Sequence, residues 1–344
     1  MQSYQKAIDY LELLKAGTKA GEYLQRQLRN KDIQQLSNTE FIELLVRTKR
    51  SCIFAELAIH GNGQDWNQAE LSILGDISIA TPVTIYDNGR HRQPQVHEVP
   101  FMATLIFTPG ALLRNGWNLT PADWIEVTRD EEIDVEGYYQ LYERRLLPAF
   151  IYIDRIAESK QKQAFITIPG LGCGQFAGKF RETLGEKLKN VIARFLETYG
   201  QNFPHIKAVY YDPYSECDNH RIEIHGISFL VRPLNSGNIS KPQLCKPEHY
   251  AEVLGEFDDC ELFSFVAWDH VSWAGNDFYR GARSTDDGVK AAATNSMAVM
   301  TGIEGKYNPA IQQYLPPTEY ADWDEVVKSN KIQLEVEHNL LILS

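Results

Sequence analysis

The chain is 344 residues long and carries 34 Lys and Arg against 46 Asp and Glu, a formal charge of −12. Aliphatic, aromatic and Cys residues make up 43% and charged residues 23%, a globular balance that excludes a disordered or fibrous chain. A pI near 5.3 argues against a general nucleic-acid binder, which needs clustered Lys and Arg to neutralise phosphates. The longest apolar stretch, around Leu262–Trp268, falls far short of the ~20 residues of a membrane-spanning helix. The opening Met1-Gln-Ser-Tyr-Gln-Lys6 has no basic run followed by an apolar core, so a cytoplasmic location without a secretory leader is expected. Cys52, Cys173, Cys217, Cys245 and Cys260 are odd in number and contain no C-x-x-C pair. They read as reduced thiols, neither a disulfide framework nor a zinc site. No H-E-x-x-H pattern occurs, and His220 and His225 are five apart and do not share a helix face, so no metal site is expected.

Residues 1 to about 58 read as helical. Ala7, Tyr10, Leu11 and Leu14 recur at helical spacing, Tyr23, Leu24 and Leu28 continue it, and Ser37-Asn-Thr-Glu40 is a capping-box sequence before Phe41, Leu44 and Leu45. From Gly61 the texture changes to short apolar runs, with strands expected at Val83–Tyr86 and Met102–Phe107. Loops and short helices are expected between about 109 and 140, and Ala149–Ile153 fits a helix end or a strand equally well. Ala164–Ile168 is an uninterrupted apolar run, as in a strand buried on both faces. A helix with Phe180, Leu184, Leu188, Val191, Ile192 and Phe195 on one stripe follows, Gly200 stands at its C-terminal cap, and Ile206–Tyr211 restarts a strand. This is a βαβ unit. Further strands are expected at Ile222–Val231 and Leu262–Ala267, then a helix from about Asp287 to Thr301 and a closing strand at Ile332–Leu343.

Between the strand and helix of that unit lies Pro169-Gly-Leu-Gly-Cys-Gly-Gln-Phe-Ala-Gly178, with four glycines in nine residues. Free N–H groups at a helix start, reinforced by the helix dipole, suit an anion, and glycines let a diphosphate approach the backbone closely. The loop is not a P-loop, because no Gly-Lys-Ser/Thr ends it, and Ala177 stands where a dinucleotide fingerprint has its third glycine. Cys173 lacks the flanking glycines of a nucleophile elbow and fits either a small turn residue or a thiol nucleophile.

The densest chemistry is Trp268-Asp-His-Val-Ser-Trp-Ala-Gly-Asn-Asp277, continued through Phe278, Tyr279 and Arg283 to Asp286-Asp287-Gly288. It begins where the Leu262–Ala267 strand ends, the position of ligands in open α/β sheets. Four aspartates fall within nineteen residues, interleaved with Trp and Tyr. Aromatic rings pack the apolar faces of a sugar, and carboxylates stabilise an oxocarbenium-like centre. Ser284-Thr-Asp-Asp287 also reads as a helix start with Ser284 as its cap.

These two segments carry a resemblance. The glycine-rich segment resembles the phosphate-binding loop of macrodomains. Gly75-Asp76-Ile77 is similar to the macrodomain segment whose Asp contacts adenine. Val83-Thr-Ile-Tyr-Asp87-Asn88 falls at the spacing of the ribose-facing Asn segment, with Asp87 in place of the usual Asn. Trp268-Asp269, Gly275-Asn-Asp277 and Arg283-Ser-Thr-Asp-Asp287-Gly-Val-Lys-Ala-Ala-Ala-Thr resemble the C-terminal signature of the MavL-type effector ADP-ribosylhydrolases of Legionella, which remove ADP-ribose from arginine. The resemblance covers roughly residues 70 to 305 and leaves the N-terminal helices outside it. The glutamate pair of poly-ADP-ribose glycohydrolases is missing, so that activity is not implied.

The resemblance implies an α/β fold, a macrodomain-like three-layer αβα sandwich. Its sheet is mixed and largely parallel, with residues 1–58 as a helical extension and 59–344 as the ADP-ribose-binding domain. It implies Asp269, Asp277 and Asp287 as catalytic residues. Ligand contacts fall to Asp76, Asp87, Gly170, Leu171, Gly172, Cys173, Gly174, Gln175, Phe176, Trp268, Asn276 and Asp286. Asp287 or Asp277 would be the general base, with Asp269 orienting the arginine. No cofactor is expected, although Asp286 and Asp287 could hold Mg²⁺ as acidic pairs do elsewhere. The expected partner is an ADP-ribosylated protein, with ubiquitin a candidate, met in the host cytosol if the chain is a secreted effector. A non-catalytic ADP-ribose reader and a Cys173 thiol hydrolase are the alternatives.

Overall fold

The computed structural model describes residues 2–58, 65–334 and 341–343. Gly61, where the texture change is expected, and residues 335–340 of the expected last strand lie outside the described residues. In chain order the helices are α1 (Gln2–Lys15), α2 (Glu22–Leu28), α3 (Asn38–Val46), α4 (Ala55–Ala58), α5 (Gln68–Gly75), α6 (Trp124–Val127), α7 (Val135–Ser159), α8 (Leu184–Tyr199), α9 (Asp286–Ala293), α10 (Ser296–Thr301) and α11 (Trp323–Asn330). The strands are β1 (Ser78–Asp87), β2 (Val96–Pro109), β3 (Thr128–Arg129), β4 (Glu132–Ile133), β5 (Gln163–Pro169), β6 (Ile206–Asp212), β7 (His220–Ile224), β8 (Ile227–Val231), β9 (Cys260–Trp268), β10 (Lys306–Asn308), β11 (Gln313–Leu315) and β12 (Leu341–Leu343).

Eight strands form one sheet in the order β12-β1-β2-β9-β5-β6-β8-β7. The run from β2 to β8 is parallel, and antiparallel pairs close it at both edges. Alternate side chains go to opposite faces, as the two-residue period of a strand requires. Leu262, Val266 and Trp268 of β9 join one core with α1, α3 and α5. Phe263 and Phe265 join the other with α7 and α8. The sheet is therefore sandwiched between two helical layers. Ala7, Tyr10, Leu11 and Leu14 are the buried stripe of α1, and Ser37 with Glu40 forms the expected capping box. No helix among the described residues is long and apolar enough to cross a membrane.

Three expectations are corrected. Ile222–Val231 is a hairpin rather than one strand, because His225 and Gly226 both take positive φ (50° and 80°) and turn the chain between β7 and β8. The helix expected over Asp287–Thr301 is two, α9 and α10, because Thr294 turns extended and the Asn295 side chain accepts from Thr84 N in β1 (2.7 Å). Ala149–Ile153 lies inside α7. Gly200 does end α8, but in a right-handed conformation.

Helical layers and strand ends meet at a buried ionic network. Arg145 of α7 donates to Asp123 Oδ1 (2.9 Å), Asp76 Oδ1 (3.4 Å) and Pro109 O (3.1 Å). Asp76 at the end of α5 also takes Lys6 Nζ of α1 (2.7 Å) and Arg144 Nε (3.1 Å). Asp123 Oδ2 takes Leu112 N (2.8 Å) and meets His270 Nε2 (3.2 Å). Burial alone would raise the Asp123 carboxyl, but Arg145 and His270 bring it well below the usual range. Removing one partner strands a buried charge. Arg145→Met is therefore expected to cost about 3–5 kcal/mol in urea unfolding, far more than Arg129→Met, because Arg129 is exposed.

Candidate functional site

β2, β9 and β5 are neighbouring parallel strands, so the loops at their C-terminal ends open on one edge of the sheet. β5 runs into the glycine loop, β9 into the acidic loop, and β2 into a connection starting at Gly110. These are stitched together: Gly110 N donates to Trp268 O (3.1 Å) and Leu113 N to Phe176 O (2.9 Å). A Cβ at Gly110 would lie 2.2 Å from Gly172 N, so the two backbones approach as only glycine permits. The Tyr142 hydroxyl accepts from Ala111 N (3.0 Å) and donates to Leu171 O (2.6 Å), tying both loops to α7.

In the glycine loop Gly172 takes φ 73°. Cys173 N donates to Gly170 O (3.0 Å), and Ala177 N to Gly174 O (3.2 Å) as a 3₁₀ turn begins at Gln175. Gly172, Gly174, Gln175 and Phe176 have backbone N–H groups with no acceptor among the described residues. Gly174 and Gln175 are exposed. Successive unpaired N–H groups of this kind form a concavity for an anion. Arg114 adds the one side-chain cation bonded to this loop among the described residues, through Gln175 Oε1 (2.7 Å). The Cys173 thiol is buried among apolar groups and pushed up by that burial, the opposite of a nucleophile's environment.

The acidic loop brings Asp269, Asp277 and Asp287 together, each no more than 5% exposed. Asp269 Oδ1 accepts from Val271 N (2.7 Å) and Ser272 N (2.6 Å), and its Oδ2 from Asn276 Nδ2 (3.2 Å). Asp277 Oδ2 accepts from Ser284 N (3.0 Å) and Thr285 N (3.1 Å), and its Oδ1 from Thr285 Oγ1 (2.6 Å). A Cβ at Gly288 would lie 2.0 Å from Asp277 Oδ1, so α9 starts against this carboxylate. The cap of α9 is Thr285, which accepts from Gly288 N (3.0 Å). Ser284, expected as the cap, lies one residue too early and instead gives its N–H to Asp277.

Asp287 differs from the other two. Its Oδ1 accepts from Gly275 N (2.7 Å), but its Oδ2 is buried without a partner among the described residues. Burial, and then the nearby Asp277, Asp269 and Asp286, push its carboxyl well above the usual range. Five buried polar atoms without a hydrogen-bond partner among the described residues belong to this segment: Trp268 Nε1, His270 Nδ1, Ser272 Oγ, Tyr279 OH and Asp287 Oδ2. Such atoms are uncommon in folded proteins, and five in one segment mark it for a polar ligand or water.

The other sequence-derived acids are bonded within the protein. Asp76 and Asp87 are fully engaged by protein donors. Asp76 belongs to the Arg145 network, where Arg145, Lys6 and Arg144 outweigh the effect of burial and hold its carboxyl low. Asp87 takes Arg283 (2.8 and 3.0 Å), Tyr307 OH (2.8 Å) and Gly89 N (2.9 Å). Asp286 Oδ2 takes Ala267 N (2.8 Å) and Lys290 Nζ (3.0 Å), away from the Gly275 N that holds Asp287. No group of three or more His, Cys, Asp and Glu suited to a metal ion occurs among the described residues.

Sequence reasoning missed Lys49 and Glu56. Lys49 is fully buried beside the acidic loop. Burial raises the Glu56 carboxyl and Asp269 adds to this, while Arg114 opposes it. Both precede the sheet by many residues and carry no motif that would single them out.

A family model described as macrodomain effector MavL matches residues 1–320, which takes in the N-terminal helices together with both loops and every strand of the sheet but β12. No curated protein matches the chain.

The raised Asp287 carboxyl has a signature in stability. Its folded pKa lies above the unfolded one of about 4, so the neutral acid supports the fold fully below that pH and the contribution is lost as pH rises. Asp287→Asn stays neutral throughout. It is expected to unfold at a higher temperature than wild type at neutral pH, with the gap closing near pH ~4. Equal melting temperatures at neutral pH would show that Asp287 ionises freely.

Proposed function

Since the chain belongs to the MavL macrodomain effector family, we propose that it is an ADP-ribosylarginine hydrolase. It cleaves the N-glycosidic bond between ribose C1″ and an arginine guanidinium of a host protein, with ubiquitin a candidate. The observation that carries the reading is Asp287, a buried carboxyl with one unpartnered oxygen amid two fully hydrogen-bonded aspartates. The diphosphate anchors on the free N–H groups of Gly172, Gly174, Gln175 and Phe176, which leaves the distal ribose facing the acidic loop.

Asp287 is the general base in this reading. The arriving guanidinium is a cation, and its charge favours the ionised form that burial otherwise disfavours. The carboxylate then takes a proton from water as the water oxygen bonds to C1″ and the C1″–N bond breaks. The electron pair stays on the guanidine nitrogen, and the proton passes from Asp287 to the departing guanidine. Charge building on the ribose is stabilised by the neighbouring Asp269 and Asp277. Both are held by protein donors, and in this reading Asp269 acts as a fixed charge beside the ribose.

Mass spectrometry of an arginine-ADP-ribosylated protein tests this. Wild type is expected to release ADP-ribose with or without chelator, and Asp287→Asn to lose at least about 100-fold in rate while still binding ADP-ribose. Binding without release by wild type would make the protein an ADP-ribose reader.

A further inference from the structure

The segment Lys49–Ile53, between α3 and α4, runs along the acidic loop. Arg50 N donates to Val271 O (2.8 Å) and Trp273 N to Arg50 O (2.7 Å), a parallel bridge opposite Ser272. Trp273 Nε1 donates to Lys49 O (3.0 Å). Ile53 N donates to Asn276 Oδ1 (3.0 Å), and Asn276 Nδ2 reaches Asp269 Oδ2 (3.2 Å). The Lys49 ammonium lies 3.8 Å from the centroid of the Trp268 ring and donates to His270 O (2.7 Å) and Asp269 O (3.4 Å).

We infer that Lys49 is a positioning residue of the hydrolytic centre, and that the Lys49–Ile53 segment is an integral part of that centre. This rests on the reading of the three aspartates given above. An ammonium is expensive to bury, and a Met would fill the space over Trp268 without that cost. Burial lowers the Lys49 amine to about 7, even against the pull of Asp269 and Asp287. The charge has a use in the turn that follows Trp268. By holding the Asp269 and His270 carbonyls on one side, it leaves the next two N–H groups, of Val271 and Ser272, converging on Asp269 Oδ1. Asn276, seated on Ile53, fixes the other oxygen. Lys49 and its neighbours thus set where the Asp269 charge stands relative to the reacting ribose, without touching it.

The test is kcat, KM, ADP-ribose affinity by calorimetry and thermal unfolding for wild type, Lys49→Met, Lys49→Gln and Lys49→Arg. Lys49→Met is expected to lower kcat about 100-fold with KM and ADP-ribose affinity held, because the glycine loop is untouched. Lys49→Arg is expected to recover more of kcat than Lys49→Gln, which keeps a donor but no charge. Should Lys49→Met fail to fold, the Gln and Arg variants decide the matter on the same readouts. Wild-type kcat in Lys49→Met or Lys49→Gln would overturn the inference, as would kcat and ADP-ribose affinity falling together with unfolding temperature. An inactive wild type that binds ADP-ribose would instead overturn the hydrolase reading, and this inference with it.

Discussion

Three aspartate carboxyls share a space from which water is nearly excluded, and three uncompensated negative charges cannot stand there together. The structure resolves this by unequal treatment. Asp269 and Asp277 each receive three hydrogen bonds, five of the six from N–H groups and one from the Thr285 hydroxyl. Asp287 receives one and is driven towards its neutral form. A site built this way has room for a positive charge, such as the guanidinium of the proposed substrate. Pairs of acids whose surroundings push them apart in this manner are a recurring basis for dividing acid and base roles.

The unequal treatment depends on parts far apart in the chain. The N–H groups on Asp277 come from the approach to α9, and their convergence requires Gly288 to lie against the carboxylate. The turn around Asp269 is held from one side by Lys49 and from the other by His270 in its bond to Asp123. Asp123 leads through Arg145 to Asp76 and Lys6, so α1, α5, α7 and the end of β2 converge on the base of the acidic loop. The N-terminal helices are bound into the same core as Trp268, consistent with a family match that begins at the first residue.

Much of the frame was readable beforehand because local rules agree with the tertiary result. The apolar run Ala164–Ile168 became β5, the stripe from Leu184 to Phe195 became one face of α8, and the glycines of the connecting loop left N–H groups free. Local pattern fell short where distant partners decide. Asp76 and Asp87 sit in segments suited to a ligand, and the long-range cations bonded to both are visible only in the fold. Ser284 reads as the cap of α9 in the sequence, and the fold gives that place to Thr285 while Asp277 takes the Ser284 N–H.

Amino-acid order alone determined the buried central strands, the glycine loop and the presence of four aspartates after β9. Periodicity, glycine content and residue type act over a few positions and need no knowledge of the rest. Only the tertiary structure decided which aspartate keeps a free oxygen, because that depends on donors brought in by chain folding, such as Asn276 on Asp269 and Ser284 and Thr285 on Asp277. It also decided that Lys49, some 220 residues before Asp269, belongs to the same site. Burial and field are properties of the assembled surroundings, and a residue's identity does not carry them.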